Sequence, residues 1–306
     1  LDKSDASIIS GWTGTANSTV YALALSNDAN SIFIGGSFRQ LNGSSKDYFG
    51  KLSALNGAAE QAPTFNNTVY SVVANGGNIY VGGLFSSVTP AGGSPTNRQG
   101  LCKLSEDGAT LYATFPEITD GTGSIEAIIV SGNDMYVGGS FSQFGGQNLI
   151  SAAKIDLTAN LGAGGVVSSA VWNANIFSNP VYDLAIAGSH LYLAGDFYMV
   201  GGQDRRYTAR VALADGALDN TWKSHAGYRV YTIGVNGTDL YIGGGFMSLG
   251  GFPVKNIAKI DNQTGAGFSN WTPIVDQPVY SIAVDGNGDV FIGGSFSNVN
   301  STTRYN

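Results

Sequence analysis

The sequence predicts an all-β fold, a six-bladed β-propeller of four-stranded blades, and three observations predict it. One hairpin pattern occurs six times along 306 residues, each copy is followed by two further short apolar runs, and the two chain ends align as halves of one incomplete repeat. Short strands at a fixed period of about 50 residues are the layout of propeller blades.

The clearest hairpin is VYSIAVDGNGDVFIGGSF, Val279–Phe296. Its apolar runs Val279–Val284 and Val290–Ile292 flank the turn Asp285–Asp289, where glycine supplies the positive φ a tight turn needs. Val20–Phe38, Val69–Phe85, Ile125–Phe141, Val181–Phe197 and Val230–Phe246 follow the same plan. Each ends in glycine and, two residues on, a phenylalanine: Phe38, Phe85, Phe141, Phe197, Phe246 and Phe296. Successive copies start 49, 56, 56, 49 and 49 residues apart, so this is one repeat with small insertions.

The third strand recurs as Gly50–Leu55, Leu101–Ser105, Ala152–Asp156, Ala209–Leu213 and Ile257–Asp261. Each holds one basic residue between apolar ones: Lys51, Lys103, Lys154, Arg210 and Lys259. Recurrence at one position predicts an apolar stem packed on a neighbour with its head in water or on a carbonyl. The fourth run ends at a closing aromatic, Trp12, Phe65, Phe115, Trp172, Trp222 or Trp271, a packing residue by the same logic. In the fifth repeat the four runs are Val230–Val235, Leu240–Gly244, Asn256–Ile260 and Phe268–Trp271.

The ends complete the plan. Asp2 and Trp12 are spaced like Asp261 and Trp271, and Asn306 aligns with Asn256. The expected architecture is therefore a single domain over 1–306, with blades starting near 20, 69, 125, 181, 230 and 279. The last blade is completed by residues 1–12, and pairing the N- and C-terminal strands closes the ring and removes open sheet edges.

Composition fits and excludes. Hydrophobic residues make up 43%, enough for a core, and the 44 glycines suit many tight turns. Charged residues are only 12%, and the balance of 15 basic to 22 acidic gives a net charge of -7. With no basic run to neutralise phosphates, no nucleic-acid partner is expected. Cys102 is the only cysteine, which rules out an intrachain disulfide and a cysteine-built zinc site. It stands where other repeats have Ala153, Ala209 or Ala258 and is expected to be a small buried strand residue. No apolar stretch approaches the roughly 18 residues of a membrane span. The chain opens in mid-pattern at Leu1, as a processed or trimmed product would, and is expected to belong to a longer multidomain chain.

The apolar-Tyr-apolar-Gly-Gly step (Ile79–Gly83, Met135–Gly139, Leu240–Gly244), the apolar-Lys-apolar-Asp strand and the closing Trp resemble kelch-type repeats. The chain is most similar to the delta-sixty repeat propellers, which Asn256–Trp271 and Val279–Phe296 match almost residue for residue. The resemblance implies a propeller on secreted or surface-attached proteins and no shared catalytic set. Two departures stand out: Ala194-Gly195 where other repeats read Gly-Gly, and Ile125-Glu126 where they read Val-Tyr.

Residues that recur are structural by expectation; residues that break the recurrence are the functional candidates. Tyr21, Tyr70, Tyr182, Tyr231 and Tyr280 open five first strands and could form an aromatic collar that stacks sugars, or pack between blades. Glu126 replaces the sixth tyrosine and Asp183 follows the fourth; such carboxylates hold a metal or a sugar hydroxyl, or stand solvated. Variable loops on a rigid ring are where binding usually happens. The most charged is Asp204-Arg205-Arg206-Tyr207 with Asp196, and His225, Tyr228 and Arg229 follow in the next connector. The candidate ligand-binding residues are thus Glu126, Asp183, Asp196, Asp204, Arg205, Arg206, Tyr207 and Tyr228.

Asp285, Asn287 and Asp289 have the alternating spacing of a calcium loop, yet the completing glutamate is missing and equivalent turns read Asn75–Asn78 and Ala187–His190. A plain turn and no cofactor are expected. His190 and His225 are the only histidines, which nearly excludes catalytic triads and multi-histidine metal sites. A carboxylate-pair glycosidase stays open. Six Asn-X-Ser/Thr sequons, at Asn17, Asn42, Asn66, Asn236, Asn262 and Asn300, would matter in a glycoprotein. The expected function is a non-catalytic, adhesin-like module of a secreted or cell-surface protein that binds protein or glycan. The alternative is a lectin-like domain with a sugar pocket at the channel mouth, and behind it a glycan-acting hydrolase.

Overall fold

The computed structural model of the chain describes residues 10–158, 172–177 and 180–304. Among these, the regular elements are β-strands and none is a helix. The chain divides into two compact units, Leu1–Val130 with Asn160–Gly165 and Ser131–Ala159 with Val166–Asn306.

The first unit holds repeat one (Val20–Leu25, Ser31–Gly36, Phe49–Ser53) and repeat two (Val69–Asn75, Asn78–Gly83, Leu101–Ser105), each an antiparallel three-stranded sheet with the second strand in the middle. The second unit holds repeat four (Val181–Ala187, His190–Gly195, Thr208–Ala212) and repeat five (Val230–Asn236, Asp239–Gly244, Ile257–Asp261), built the same way. Repeat six contributes the hairpin Val279–Val284 and Val290–Gly294. Of repeat three, the strand Ser124–Ser131 lies at the end of the first unit, and in the second Asp134–Ser140 pairs antiparallel with Ala152–Asp156. The expected completion of the last blade draws on residues 1–12, of which 1–9 lie outside the described residues.

The Val-Tyr start of five hairpins and the glycines at the hairpin ends have one cause. In five repeats the register slips between the opening valine and the residue two further on: Val20/Ala22, Val69/Ser71, Val181/Asp183, Val230/Thr232 and Val279/Ser281. The extra residue is the tyrosine, so each is the bulged residue of a β-bulge, which re-aims its side chain and bends the strand. The second glycine faces the residue before the valine: a Cβ on Gly36, Gly83, Gly195, Gly244 or Gly294 would collide with the carbonyl oxygen of Thr19, Thr68, Pro180, Arg229 or Pro278. The first glycine admits the next repeat. A Cβ there would lie 2.5 Å from Val69 Cγ1 at Gly35, 2.7 Å from Ile125 Cγ2 at Gly82, 2.6 Å from Val181 Cγ1 at Gly138 and 2.8 Å from Val279 Cγ1 at Gly243.

Registered pairs build the sheet faces. Phe33, Tyr80, Tyr136, Tyr192 and Tyr241 in the middle strands stand opposite Lys51, Lys103, Lys154, Arg210 and Lys259. Each of the four lysine ammoniums lies 5.5–5.9 Å from its partner ring, close enough for a cation–π attraction. The heads of Lys51, Lys154, Arg210 and Lys259 also pair with Glu60, Asp134, Asp219 and Asp239. The recurring cations are therefore packing residues, as expected, but four of their heads sit on carboxylates, which the expectation of water or a carbonyl did not include. On the same rings, Tyr80–Phe115, Tyr136–Trp172, Tyr192–Trp222 and Tyr241–Trp271 all meet at 5.5 Å between centroids, which is how the closing aromatics anchor each repeat. Cys102 is fully buried in the same layer as Phe33, Val81 and Phe85.

The fourth strand is much reduced. After the third strand the chain turns back and touches it through single bridges, Leu52↔Ala59, Leu104↔Leu111, Val211↔Leu218 and Ile260↔Gly267. The tight turns fix this: Gly57, Gly108, Gly216 and Gly265 have φ near +75°. Beyond one bridge the closing aromatic, rather than a strand ladder, holds the segment.

Candidate functional site

Five of the eight candidate residues gather in the second unit around Arg229. The loop at the end of repeat four's hairpin is pinned at its base, where Arg205 N donates to Tyr198 O and Tyr207 N to Phe197 O. Tyr207 has φ +69°, a conformation that Tyr48, Gly100, Ser151 and Asn256 share at the equivalent position in other repeats. It therefore belongs to the scaffold and is not strain peculiar to this site.

Arg229 Nε lies 2.8 Å from Asp196 Oδ2, and Asp196 holds the guanidinium charged. Asp196 is mostly buried while the Arg229 side chain is about two-fifths exposed. The guanidinium also stacks 5.4 Å from the Tyr228 ring. Tyr228 meets Tyr207 at 6.2 Å, Tyr207 meets Tyr198 at 5.4 Å, and Tyr207 Oη donates to Tyr198 Oη at 3.4 Å. Burial and the Tyr198 contact push the Tyr207 hydroxyl up to about 12, so it stays a proton donor. Tyr198 and Tyr228 are exposed at their outer faces; Tyr207 is the buried ring between them.

Beside this row, Arg206 Nε pairs with Asp204 Oδ1 at 3.2 Å, both well exposed. Arg206 N donates to His225 Nδ1 at 3.3 Å. Burial, with the positive charges of Arg205, Arg206 and Lys223, pulls His225 below its ordinary value against the pull of Asp204, leaving a neutral ring at pH 7. Asp196, Asp204, Arg206, Tyr207 and Tyr228 thus share one surface with His225 and Arg229.

Three candidates stand apart. Arg205 turns inward, donating to Asp204 O at 2.8 Å and Asn220 Oδ1 at 3.2 Å. Asp183 accepts from the backbone N–H of Leu184 at 2.8 Å and of Ile233 at 2.9 Å. Glu126 belongs to the first unit, half-buried, with Ser124 Oγ donating to it at 2.7 Å and its carboxyl raised by burial. The collar tyrosines contact one another within each unit: Tyr21–Tyr70 at 5.3 Å in the first, Tyr182–Tyr231 at 5.6 Å and Tyr231–Tyr280 at 5.2 Å in the second. Asp285 closes its own turn, its Oδ1 accepting from Asn287 N and Asp289 N.

Sequence reasoning passed over Tyr198 as a site residue. The signal was present, because other repeats have Arg39, Ser86, Ser142, Met247 and Ser297 after the phenylalanine. Arg229 likewise stands where Thr19, Thr68, Pro180 and Pro278 precede the first strand.

The sequons are largely built into turns. Asn17 and Asn66 each accept two backbone N–H groups, and Asn42 and Asn262 donate to Gly57 O and Gly237 O.

A family described as "Domain of unknown function (DUF5122) beta-propeller" matches residues 190–221. No curated protein matches the chain. Among solved structures, the WD40 beta propeller domain of Doa1 is similar over 92% of this chain and 77% of that one, with a TM-score of 0.57 at 13% identity. The computationally designed Ika8 protein is similar over 92% of this chain and 98% of that one, with a TM-score of 0.51 at 10% identity. The fold is all-β and propeller-like.

Proposed function

We propose that this chain is a non-catalytic interaction module of a secreted or cell-surface protein, which grips a protein partner through the patch around Arg229. The observation that carries the reading is the row Tyr198–Tyr207–Tyr228 ending on a half-exposed Arg229. Tyrosine and arginine dominate binding hot spots, since each offers large contact area and directional hydrogen bonds. Here the rings are already packed edge-on and tilted against one another and Arg229 is already oriented by Asp196, so little side-chain freedom is lost on binding. The patch calls on no cofactor.

The scaffold we infer is a delta-sixty-type ring of six blades. Trp12 lies against Gly57, 3.2 Å from where its Cβ would stand, as Trp222 lies against Gly265. Trp222 closes repeat four against repeat five; by the same relation Trp12 closes the repeat that precedes repeat one. The faces that neighbours cover elsewhere are bare at the first and last repeats: Leu23 is 66% exposed where Val72 is 6%, and Phe291 46% where Tyr241 is 4%. Ring closure covers both.

Arrays of purified extracellular proteins and of glycans, probed with the wild type and with Tyr228→Ala plus Arg229→Ala, test the function. A protein ligand lost in the double variant is expected; a ligand bound equally by both would sink the site. A lectin-like reading is favoured only by Glu126, desolvated beside Tyr70. Glycan binding lost in Glu126→Gln and kept in the double variant would establish it instead.

A further inference from the structure

Repeat five contains a cavity of about 210 Å³ walled by Leu249, Phe252, Val254, Phe268 and Trp271. Its origin is a substitution within the repeat. The third strands start opposite the first residue of the Gly-Gly step, Leu101↔Gly82, Thr208↔Ala194 and Ile257↔Gly243. Each is preceded by a residue in the left-handed region, Gly100, Tyr207 and Asn256. That registration places Arg98, Arg205 and Val254 at one and the same position.

In repeat two Arg98 fills the slot and is 3% exposed. Its guanidinium donates to the carbonyls of Ala113 at 2.9 Å, Leu101 at 3.2 Å and Phe115, and Glu117 lies 3.4 Å away. In repeat four Arg205 fills it, 5% exposed, and donates to Asn220. In repeat three Leu149 fills it, 1% exposed. In repeat five the side chain at this position, Val254, is shorter than Arg98, Arg205 or Leu149, and there the slot opens. The positions of Ala113, Phe115 and Pro116, whose carbonyls receive Arg98, correspond to Ser269, Trp271 and Thr272, and all three line the cavity.

We propose that this cavity is a docking slot for an arginine side chain presented by a partner protein. The apolar walls suit the methylene stem, Trp271 offers a face for the planar guanidinium, and the three carbonyl positions receive its N–H fork. Lys259, also at the wall, does not oppose this: its ammonium is paired with Asp239 at 2.7 Å and sits 4.8 Å over Phe268. Lys103 occupies the same position in repeat two, opposite Tyr80 and over the Tyr112 ring, while Arg98 fills the slot of that repeat. The net charge of -7 favours a basic partner. The slot stands on its own observation and is independent of the patch around Arg229.

The test titrates the blocked tripeptide acetyl-Gly-Arg-Gly-amide into the whole chain and follows the Trp271 indole N–H and Val254 methyl resonances. Saturable shifts are expected with the arginine peptide, at least tenfold weaker binding with acetyl-Gly-Leu-Gly-amide, and no binding to Val254→Arg, which supplies its own occupant. Should Val254→Arg fail to fold, Val254→Leu, the filling of repeat three, is expected to weaken binding at least fivefold. Tyr228→Ala is expected to leave it unchanged, so loss of the Arg229 patch and loss of this slot read out separately. No saturable binding, equal binding of the leucine peptide, or full binding by the filled variant overturns the proposal.

Discussion

Asp183 Oδ2 accepts a hydrogen bond from the backbone N–H of Ile233 at 2.9 Å, across 50 residues of chain. One repeat later Thr232 Oγ1 accepts from Ile282 N at 3.3 Å across the same interval. The residue after the bulged tyrosine thus clasps the first strand of the following repeat. At Asp183 the clasp buries a carboxylate, and burial raises it to about 6 against the pull of its N–H donors.

That shift predicts a pH dependence. A carboxyl with a higher pKa folded than unfolded adds stability that is complete below its ordinary value near 4 and is lost as pH rises through about 6. Relative to Asp183→Asn, the wild type is expected to gain melting temperature as pH falls from 7 to 4, with the change starting near pH 6. A difference between the two proteins that stays flat with pH would show that Asp183 does not titrate in this window.

Tyr192 donates its hydroxyl to Asn262 O at 2.7 Å, tying repeat four to the turn of repeat five. Arg210 also donates to Asn262 O, so removing the tyrosine hydroxyl leaves that carbonyl with a partner. Tyr192→Phe is therefore expected to lose only about 1 kcal/mol, the net value of one hydrogen bond, and not the larger penalty of an orphaned acceptor. Urea unfolding reads this directly; a loss above about 3 kcal/mol would mean the ring packing had changed too.

The hairpins, the basic-residue strand and the closing aromatics were legible because each recurs and recurrence is visible without coordinates. The bulge was not, because Val-Tyr reads as ordinary alternation until pairing shows Tyr182 to be the extra residue. The reduced fourth strand was missed because Phe268–Trp271 has strand-like composition, while its pairing ends at the Ile260↔Gly267 bridge. At the site, adjacency misled: Arg205 and Arg206 look alike in sequence, yet one is buried on Asn220 and the other exposed on Asp204. The vacant slot at Val254 becomes visible only when Arg98 and Arg205 are seen filling its counterparts.

Cys102 is fully buried, and burial pushes its thiol up to about 12. Thiolate is the reactive form, so a native chain at pH 8 is expected to show no labelling by an aromatic disulfide reagent over an hour. In denaturant the single thiol should react fully. Rapid native labelling would mean that the core of repeat two opens far more readily than its packing implies.

The glycine steps test how the last repeat is covered. A Cβ on Gly243 would fall 2.7 Å from Thr232 Cγ2 and 2.8 Å from Val279 Cγ1, so Gly243→Ala overpacks and is expected to destabilise by about 1–3 kcal/mol. Gly293 holds the same place in repeat six, and the nearest atom to its Cβ is Ser281 Cβ at 3.9 Å. With that face left bare, Gly293→Ala would be neutral or would stabilise by about 0.4–1 kcal/mol, since alanine restricts the unfolded chain. In the closed ring proposed above, Gly293 is covered as Gly243 is by Val279, and its alanine variant loses the same 1–3 kcal/mol. Equal losses at the two glycines are the expected result; a neutral Gly293→Ala beside a destabilised Gly243→Ala would leave repeat six as an open end.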